Sequence, residues 1–123
     1  MRILSRSRLT LATVLVFASV GCSGNKGKIE ETAWVSQTAT VKGQELPAGA
    51  RQLQFHKDGH LVFVANAKPY KGAYALGMGP SVTFTFEEEY EGRKIHVEKV
   101  VVEGDTLVLT NPDGSEIPFQ KAH

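Results

Sequence analysis

The sequence has little of what usually braces a small protein or recruits a charged partner. It contains a single Cys among 123 residues, so it forms neither an intrachain disulfide nor a Cys-based zinc cluster. The formal net charge is only +1, and without a basic surplus the sequence does not indicate a nucleic-acid partner. A chain of this length has room for one folded domain.

The sequence motifs of catalysis and of cofactor binding are also missing. No serine lies in a Gly-x-Ser-x-Gly elbow. Gly77-Met78-Gly79 is followed by neither a helical pattern nor the Lys-Ser/Thr of a phosphate-binding loop. The carboxylates of Glu98, Glu103 and Asp105 are scattered, and their spacing does not indicate a pair that converges on a cleft. We therefore expect a non-enzymatic protein without a cofactor.

The N-terminus carries the most specific signal. Arg2, Arg6 and Arg8 precede the mostly apolar stretch from Leu9 to Val20, and no acidic residue occurs before Glu30. This 12-residue stretch is too short to span a hydrocarbon core of about 30 Å, which takes roughly 20 helical residues. A short apolar run after a basic start is typical of a secretory signal peptide, and we predict one over residues 1–21.

The end of that stretch resembles the bacterial lipobox. In Ala18-Ser19-Val20-Gly21-Cys22 small residues precede the Cys, although Leu is usual where Ser19 stands. The resemblance implies that Cys22 receives a diacylglycerol and becomes the new N-terminus. The alternative is an ordinary secreted protein with a chance Cys, which would leave one unpaired thiol in an oxidising compartment.

Lipidation predicts how the mature chain is arranged. Two or three acyl chains hold a protein on a membrane almost permanently, and by analogy with lipoprotein sorting Ser23, which is not Asp, suggests the outer membrane or an outward-facing leaflet. Residues 22–28 are rich in Gly and Lys and are expected to form a flexible tether, which leaves residues 29–123 as the folded domain. Removal of three Arg with the signal peptide leaves 11 basic against 13 acidic residues, a net charge of −2.

The folded part shows period-2 alternation and turn signals about every 8–12 residues, which is typical of an antiparallel meander. An open meander would expose two edges, whereas closure removes them. We therefore predict an all-β fold, an antiparallel up-and-down meander of about eight strands that forms a closed or nearly closed barrel. The predicted strands are 33–40, 50–56, 60–66, 70–76, 81–87, 93–103, 106–110 and 115–120.

Three local alternatives stay open in this assignment. Arg93–Glu103 is favoured as one long strand over two, and a short helix over Glu87–Glu91 is possible. The Lys57-Asp58-Gly59 turn allows two registers, of which a three-residue loop pairs Phe55 with Leu61 and gathers the large apolar residues on one face. Pro118 demotes the last strand to an edge or a position near a bulge, because proline cannot donate to a ladder.

Alternation also predicts which side chains face the interior. The expected inward residues are Trp34, Leu53, Phe55, Leu61, Phe63, Tyr74, Leu76, Phe84, Phe86, Ile95, Val97, Leu107, Leu109, Ile117 and Phe119. Six aromatic residues among them are candidates for an apolar pocket at the barrel mouth, with plain core packing as the alternative: Trp34, Phe55, Phe63, Tyr74, Phe84 and Phe86.

Two features of the predicted outer face were weighed as sites. His56 and His60 flank one turn and could hold a transition metal weakly, but zinc usually takes three or four ligands and the sequence places no third. We therefore predict no metal site. The outward Val62 and Val64 are candidates for a contact patch.

The folded region resembles the small lipocalin-like domains of bacterial lipoproteins. The resembling features are Trp34 on the first strand, Leu53-x-Phe55 leading into the Lys57-Asp58-Gly59 hairpin, and the strand start Lys71-Gly72-Ala73-Tyr74. The C-terminal features are Leu107-Val108-Leu109, Asp113-Gly114 and Phe119. The resemblance implies a meander barrel from families without an assigned activity, and it supplies no catalytic residues.

These observations lead to one functional hypothesis and one alternative. The leading hypothesis is a non-enzymatic envelope lipoprotein, anchored to a membrane by its lipid, that binds a small apolar ligand or an envelope partner. The alternative is a protein-interaction module or inhibitor whose barrel core is filled and which acts through its loops.

Overall fold

The predicted barrel is present and closed. The computed structural model describes residues 24–122, so the predicted signal peptide and Cys22 lie outside the described residues. Residues 24–122 form ten strands, and eight of these make one closed antiparallel barrel in which each strand pairs with two neighbours. The strands are β1 (Thr32–Ser36), β2 (Ala39–Val41), β3 (Gln44–Leu46), β4 (Arg51–Phe55), β5 (His60–Ala65), β6 (Lys68–Leu76), β7 (Ser81–Tyr90), β8 (Arg93–Glu103), β9 (Thr106–Thr110) and β10 (Glu116–Lys121).

The last strand closes the barrel on the first. β10 pairs with both β9 and β1, and β1 pairs on its other side with β4. The expectation that Pro118 marks an edge strand is therefore wrong. The carbonyl of Pro118 accepts from the Gln37 amide at 2.8 Å, just past the end of β1. The missing N–H of the proline thus falls where the pairing with β1 stops, and the ladder between β1 and β10 continues from Phe119 onward.

The hairpins confirm most of the predicted registers. Phe55 pairs with Leu61 and Leu53 with Phe63, as expected for a three-residue loop, and Gly59 has a φ of +91°, which only Gly adopts without strain. β8 runs without interruption from Arg93 to Glu103. β7 extends to Tyr90, so the alternative helix over Glu87–Glu91 is not formed. Residues 24–122 contain no helix that could cross a membrane.

One hairpin was missed by sequence reasoning. The predicted first strand, 33–40, is divided into β1 and the start of β2, which pairs with β3 in a separate two-stranded sheet. Lys42 and Gly43 both have positive φ, the conformation of a tight hairpin turn. The β2–β3 hairpin lies outside the barrel wall and spans most of the connection from β1 to β4.

The two ends of the barrel differ in what covers them. We call the end where β1 begins the closed end, because the segment 24–31 lies over it. There the Gly24 amide donates to the Gly79 carbonyl at 2.8 Å, and Ile29 is fully buried in the core. The segment predicted as a tether thus contacts the barrel from Gly24 onward. The opposite end, which carries the β7–β8 hairpin, the β9–β10 loop and the β2–β3 hairpin, we call the open end. There Val41 of β2 packs partly buried against the core.

The core follows the predicted alternation on every barrel strand except β8. The expected inward residues on the other strands are buried or pack partly buried against the core. On β8, Ile95 and Val97 are 58% and 56% exposed, so their prediction as inward residues is wrong. Val100 and Val102 face the interior instead and pair with Leu109 and Leu107.

The phase of β8 has a physical cause. A strand without a bulge cannot change faces, because its side chains alternate with a period of two. Burying Val100 and Val102 therefore turns Ile95 and Val97 outward and carries His96 and Glu98 inward. The pairing with β7 has the same phase, since His96 and Glu98 stand opposite the inward Phe84 and Val82, and the register shifts only nearer the hairpin, between Thr85 and Tyr90.

Candidate functional site: a cavity at the open end

The barrel interior holds a cavity at its open end. Its volume is about 240 Å³, below the 300–1,000 Å³ of typical drug-sized sites, so it suits a small molecule. Rings of Phe63, Phe84, Phe86 and Tyr90 line one part of it, and the side chains of Arg51, His96 and Glu98 line another. The cavity is therefore neither solid core nor purely apolar.

The six aromatic residues predicted for a pocket divide between the two ends. Phe63, Phe84 and Phe86 line the cavity, and the rings of Phe63 and Phe86 stack with centroids 6.0 Å apart. Trp34, Phe55 and Tyr74 do not line it. Trp34 and Phe55 are buried in the core, and Phe55 meets Tyr74 edge to face at 5.1 Å. The structure thus brings together half of the predicted set.

Tyr90 completes the aromatic wall. It ends β7, and its ring contacts Phe63 and Tyr70 edge to face at 5.1 and 5.0 Å. Burial raises the pKa of the Tyr90 hydroxyl, which the Arg51 charge partly opposes. Sequence reasoning did not single out Tyr90, because it follows three glutamates in a stretch where a short helix was a possible alternative.

Two inward polar residues of β8 form the core of the site. His96 is 5% exposed and Glu98 is 7% exposed. The Nε2 atom of His96 lies 2.9 Å from the Tyr90 carbonyl and 3.0 Å from the Arg93 carbonyl. These two carbonyls belong to residues that pair where the β7–β8 hairpin closes, so the imidazole contacts both strands of that hairpin.

Glu98 is the least satisfied group of the site. Its Oε1 atom is buried and has no hydrogen-bond partner among residues 24–122. Its Oε2 atom lies 4.0 Å from Nδ1 of His96, which is too far for a hydrogen bond. Burial raises the pKa of Glu98 to about 7, while the Arg93 charge opposes the shift and Glu91 and Asp113 add to it. A buried titratable group in a cleft marks a candidate functional site.

Arg51 enters the cavity from the opposite wall. It opens β4, is 9% exposed, and its amide donates to the Ser36 hydroxyl at 2.9 Å. The guanidinium Nη1 donates to the Ala50 carbonyl at 3.4 Å. A sequence signal for Arg51 existed, since it occupies an inward position two residues before Leu53, but a charged residue there was not counted as interior.

The other sites weighed from the sequence lie away from the cavity. His60 contacts Asp58 at 2.8 Å between Nδ1 and Oδ2, and this contact holds the pKa of Asp58 below its usual value. The described part of the chain, residues 24–122, contains no group of three or more potential metal ligands. Val62 and Val64 are half-buried, and the exposed apolar residues of the outer face are Ile95, Val97 and Val101 on β8 instead.

Comparison with known proteins finds a similar fold but gives no information about the cavity. No family model matches the chain, and no curated protein matches it. The structure is similar to the NMR structure of a protein from Burkholderia xenovorans, with a TM-score of 0.56 and 16% sequence identity over 90% of this chain and 95% of that chain. At this identity the likeness shows the fold alone.

Proposed function

We propose that the barrel binds a small, largely apolar ligand in the cavity at its open end. The observation that carries this proposal is the partly open cavity of about 240 Å³ that the aromatic wall and the inward polar residues of β8 line. A few placed polar groups in a concave apolar site are the usual design of ligand sites. The cavity disfavours the alternative from the sequence in which the barrel core is completely filled.

The proposal can be tested by filling the cavity. Leu109 lines the cavity, whereas Leu107 lies two residues away on the same strand, is fully buried, and does not line it. Leu109→Phe is expected to fold and to lose binding of small aromatic probes, measured by calorimetry. Leu107→Phe serves as the matched control and is expected to lose stability instead, because no space receives the larger ring. Probe binding that survives Leu109→Phe would contradict the proposal.

We propose binding rather than catalysis for this site. The Nε2 atom of His96 is engaged by two backbone carbonyls, and Nδ1 is 4.0 Å from the nearest Glu98 oxygen. The two side chains are thus not hydrogen-bonded to each other, as the members of a nucleophile–base pair are. Turnover of any probe bound in the cavity, followed by NMR, would contradict the non-enzymatic assignment.

We further propose that the protein is exported and anchored to the cell envelope through a lipid on Cys22. The basic start, the short apolar run and the likeness to the lipobox support this anchor, and Ser23 favours the outer membrane or an outward-facing leaflet. Mass spectrometry of membrane-extracted protein should find the acyl mass on Cys22. A Cys22→Ser variant that remains in the membrane would contradict the anchor.

Protein interaction is the second candidate function, and the exposed stripe on β8 favours it. Ile95, Val97 and Val101 point outward from one strand, and a shallow groove beside Val97 includes Pro80 and Pro112. Exposed apolar side chains bordered by polar ones, here with Lys99 between Val97 and Val101, are typical of contact sites. Crosslinking in the host followed by mass spectrometry should then recover an envelope protein that a Val97→Lys variant fails to recover.

A further inference from the structure

The hydrogen-bond pattern of His96 fixes where its proton lies. Carbonyl oxygens only accept, so the Nε2 atom that contacts the Tyr90 and Arg93 carbonyls must donate. If Nδ1 were also protonated, a buried carboxylate beside it would form an ion pair at about 2.7–2.9 Å. The distance from Nδ1 to Oε2 of Glu98 is 4.0 Å instead. In this geometry Nδ1 therefore presents a lone pair toward Glu98.

In the cavity, hydrogen-bond acceptors of Glu98 and His96 therefore lie side by side with no donor of the described chain between them. The Glu98 carboxylate has one oxygen without a partner among residues 24–122, and the nearest ring nitrogen offers a second lone pair. Buried acceptors normally have donors, because an acceptor that is buried without one has lost its bonds to water and gained none in return. A group with several N–H donors and a positive charge, placed between Glu98 and His96, satisfies this arrangement. A protonated amine is such a group.

The aromatic wall favours the same ligand. The Phe86 and Tyr90 rings lie 5.6 and 5.5 Å from the His96 ring between centroids, so they border the space beside Glu98. Faces of aromatic rings carry negative potential and attract a cation within about 6 Å. Their apolar surface also accepts the body of a ligand.

The remaining charges around the cavity do not favour an anion there. Lys42, Arg51 and Arg93 line it together with Glu91, Glu98 and Asp113, so basic and acidic groups are balanced. Arg51, the most buried cation, donates to the Ala50 carbonyl, and its charge partly opposes the raised pKa of the Tyr90 hydroxyl. Lys42 lies 3.9 Å from Glu91. Glu98 is the charged group of the cavity whose buried atom lacks a partner in the described chain.

We propose that the cavity selects a small protonated amine with an aromatic or aliphatic body. The ammonium group binds between the Glu98 carboxylate and Nδ1 of His96, and the body packs against Phe63, Phe86 and Tyr90. This inference rests on the proposed function, because it names the ligand class of the same cavity. Glu98 is the specificity-determining residue in this arrangement, and His96 orients the acceptor pair.

Three probes of similar size test the ligand class: 2-phenylethylamine, 2-phenylethanol and 3-phenylpropionate. Calorimetry with the purified full chain at pH 8 should find the amine at least tenfold tighter than the alcohol and the carboxylate weakest. Glu98→Gln should abolish the preference for the amine while the alcohol still binds. Glu103→Gln is the matched control, since Glu103 lies on the same strand and is exposed. This control should leave the ranking unchanged.

The outcomes separate this inference from the proposed function. If the alcohol binds and the amine gains no advantage, or if Glu98→Gln keeps the advantage, the ligand class is wrong and the ligand cavity stands. If none of the probes binds, both fail. Amine affinity should rise between pH 6 and pH 8, because the carboxylate form of Glu98 binds the ammonium. An affinity that falls over that interval would overturn the amine assignment, since it indicates a ligand that needs protonated Glu98.

Discussion

The two ends of the barrel are built from the same strands but use their inward positions differently. At the closed end, large apolar side chains such as Trp34 and Phe55 fill the interior, and the segment 24–31 lies over it. At the open end the same alternation delivers His96 and Glu98, and a cavity of about 240 Å³ remains between them and the aromatic wall. The closed end is densely packed with apolar side chains, which stabilises the fold. The open end is less densely packed and contains buried polar groups.

Truncation at the closed end is expected to have the largest effect. Trp34 is fully buried and its Nε1 donates to the Thr32 hydroxyl at 2.8 Å. Trp34→Ala should lower the free energy of unfolding by about 3–5 kcal/mol, measured by urea denaturation. Tyr90→Phe at the open end keeps its ring and should cost about 1 kcal/mol. Equal losses in the two variants would show that the two ends do not differ in this way.

The boundary between the two ends lies at Gly72. On one face of β6 it separates Tyr70, whose ring contacts Tyr90, from Tyr74, whose ring contacts Phe55. A Cβ atom at position 72 would stand 2.1 Å from the Thr85 carbonyl oxygen, so β6 and β7 would have to separate. Gly72→Ala should cost about 3 kcal/mol, the upper range of overpacking, in thermal unfolding.

The neighbouring residue provides the control for Gly72. Ala73 is exposed on the same strand, and Ala73→Ser should change stability by less than about 0.5 kcal/mol. A Gly72→Ala variant as stable as this control would mean that the two strands are not packed so closely.

The open end should make stability depend on pH. Burial raises the pKa of Glu98 from 4.5 to about 7, so the folded state binds a proton that the unfolded state has released between these values. Stability then falls as pH rises from 4.5 through about 7, by on the order of 3 kcal/mol at 1.36 kcal/mol per unit. Urea unfolding between pH 5 and pH 8 measures this slope.

Glu98→Gln isolates that contribution from other titrating groups. The variant should lose the Glu98 part of the slope and be more stable than the wild type at pH 8, because a neutral amide costs less to bury than a carboxylate. Identical pH profiles for wild type and variant would show that Glu98 is not the group responsible.

The smallest expected effect tests the phase of β8. Val100→Ala removes an inward side chain and should cost about 2 kcal/mol, since it loses two buried methyl groups and leaves a cavity. Val97→Ala on the same strand should change the unfolding free energy by less than about 0.5 kcal/mol, because Val97 is 56% exposed. A larger loss of stability for Val97→Ala than for Val100→Ala would instead support the sequence-based prediction that Val97 faces the interior.

The error on β8 shows where sequence reasoning stops. Ile95 and Val97 fit an inward pattern locally, and the Val100-Val101-Val102 run is compatible with either face. The pairing with β9 determines which face of β8 points inward, because Val100 and Val102 stand opposite Leu109 and Leu107. Once that pairing is set, period-2 alternation places His96 and Glu98 inside. Half of the candidate site thus follows from a long-range contact that no local window contains.

The aromatic part of the site was more accessible to sequence reasoning. Phe63, Phe84 and Phe86 were expected to face the interior and to line a pocket, and they line the cavity. Trp34, Phe55 and Tyr74 carry the same local pattern but lie toward the closed end. Alternation predicts which face of a strand a residue occupies, but it does not predict where along the barrel axis space remains.

The sequence by itself determined the all-β meander, the number of barrel strands, the long β8 strand and the register at Gly59, because these depend on alternation and turn chemistry between residues close in the chain. Only the tertiary structure decided that the strand with Pro118 lies within the closed barrel and not at an edge, and it alone decided the phase of β8 and the position of the cavity. These depend on pairing between distant strands and on the volume left when large side chains fill one end first. The buried polar pair His96 and Glu98 is the clearest product of that second kind of determination.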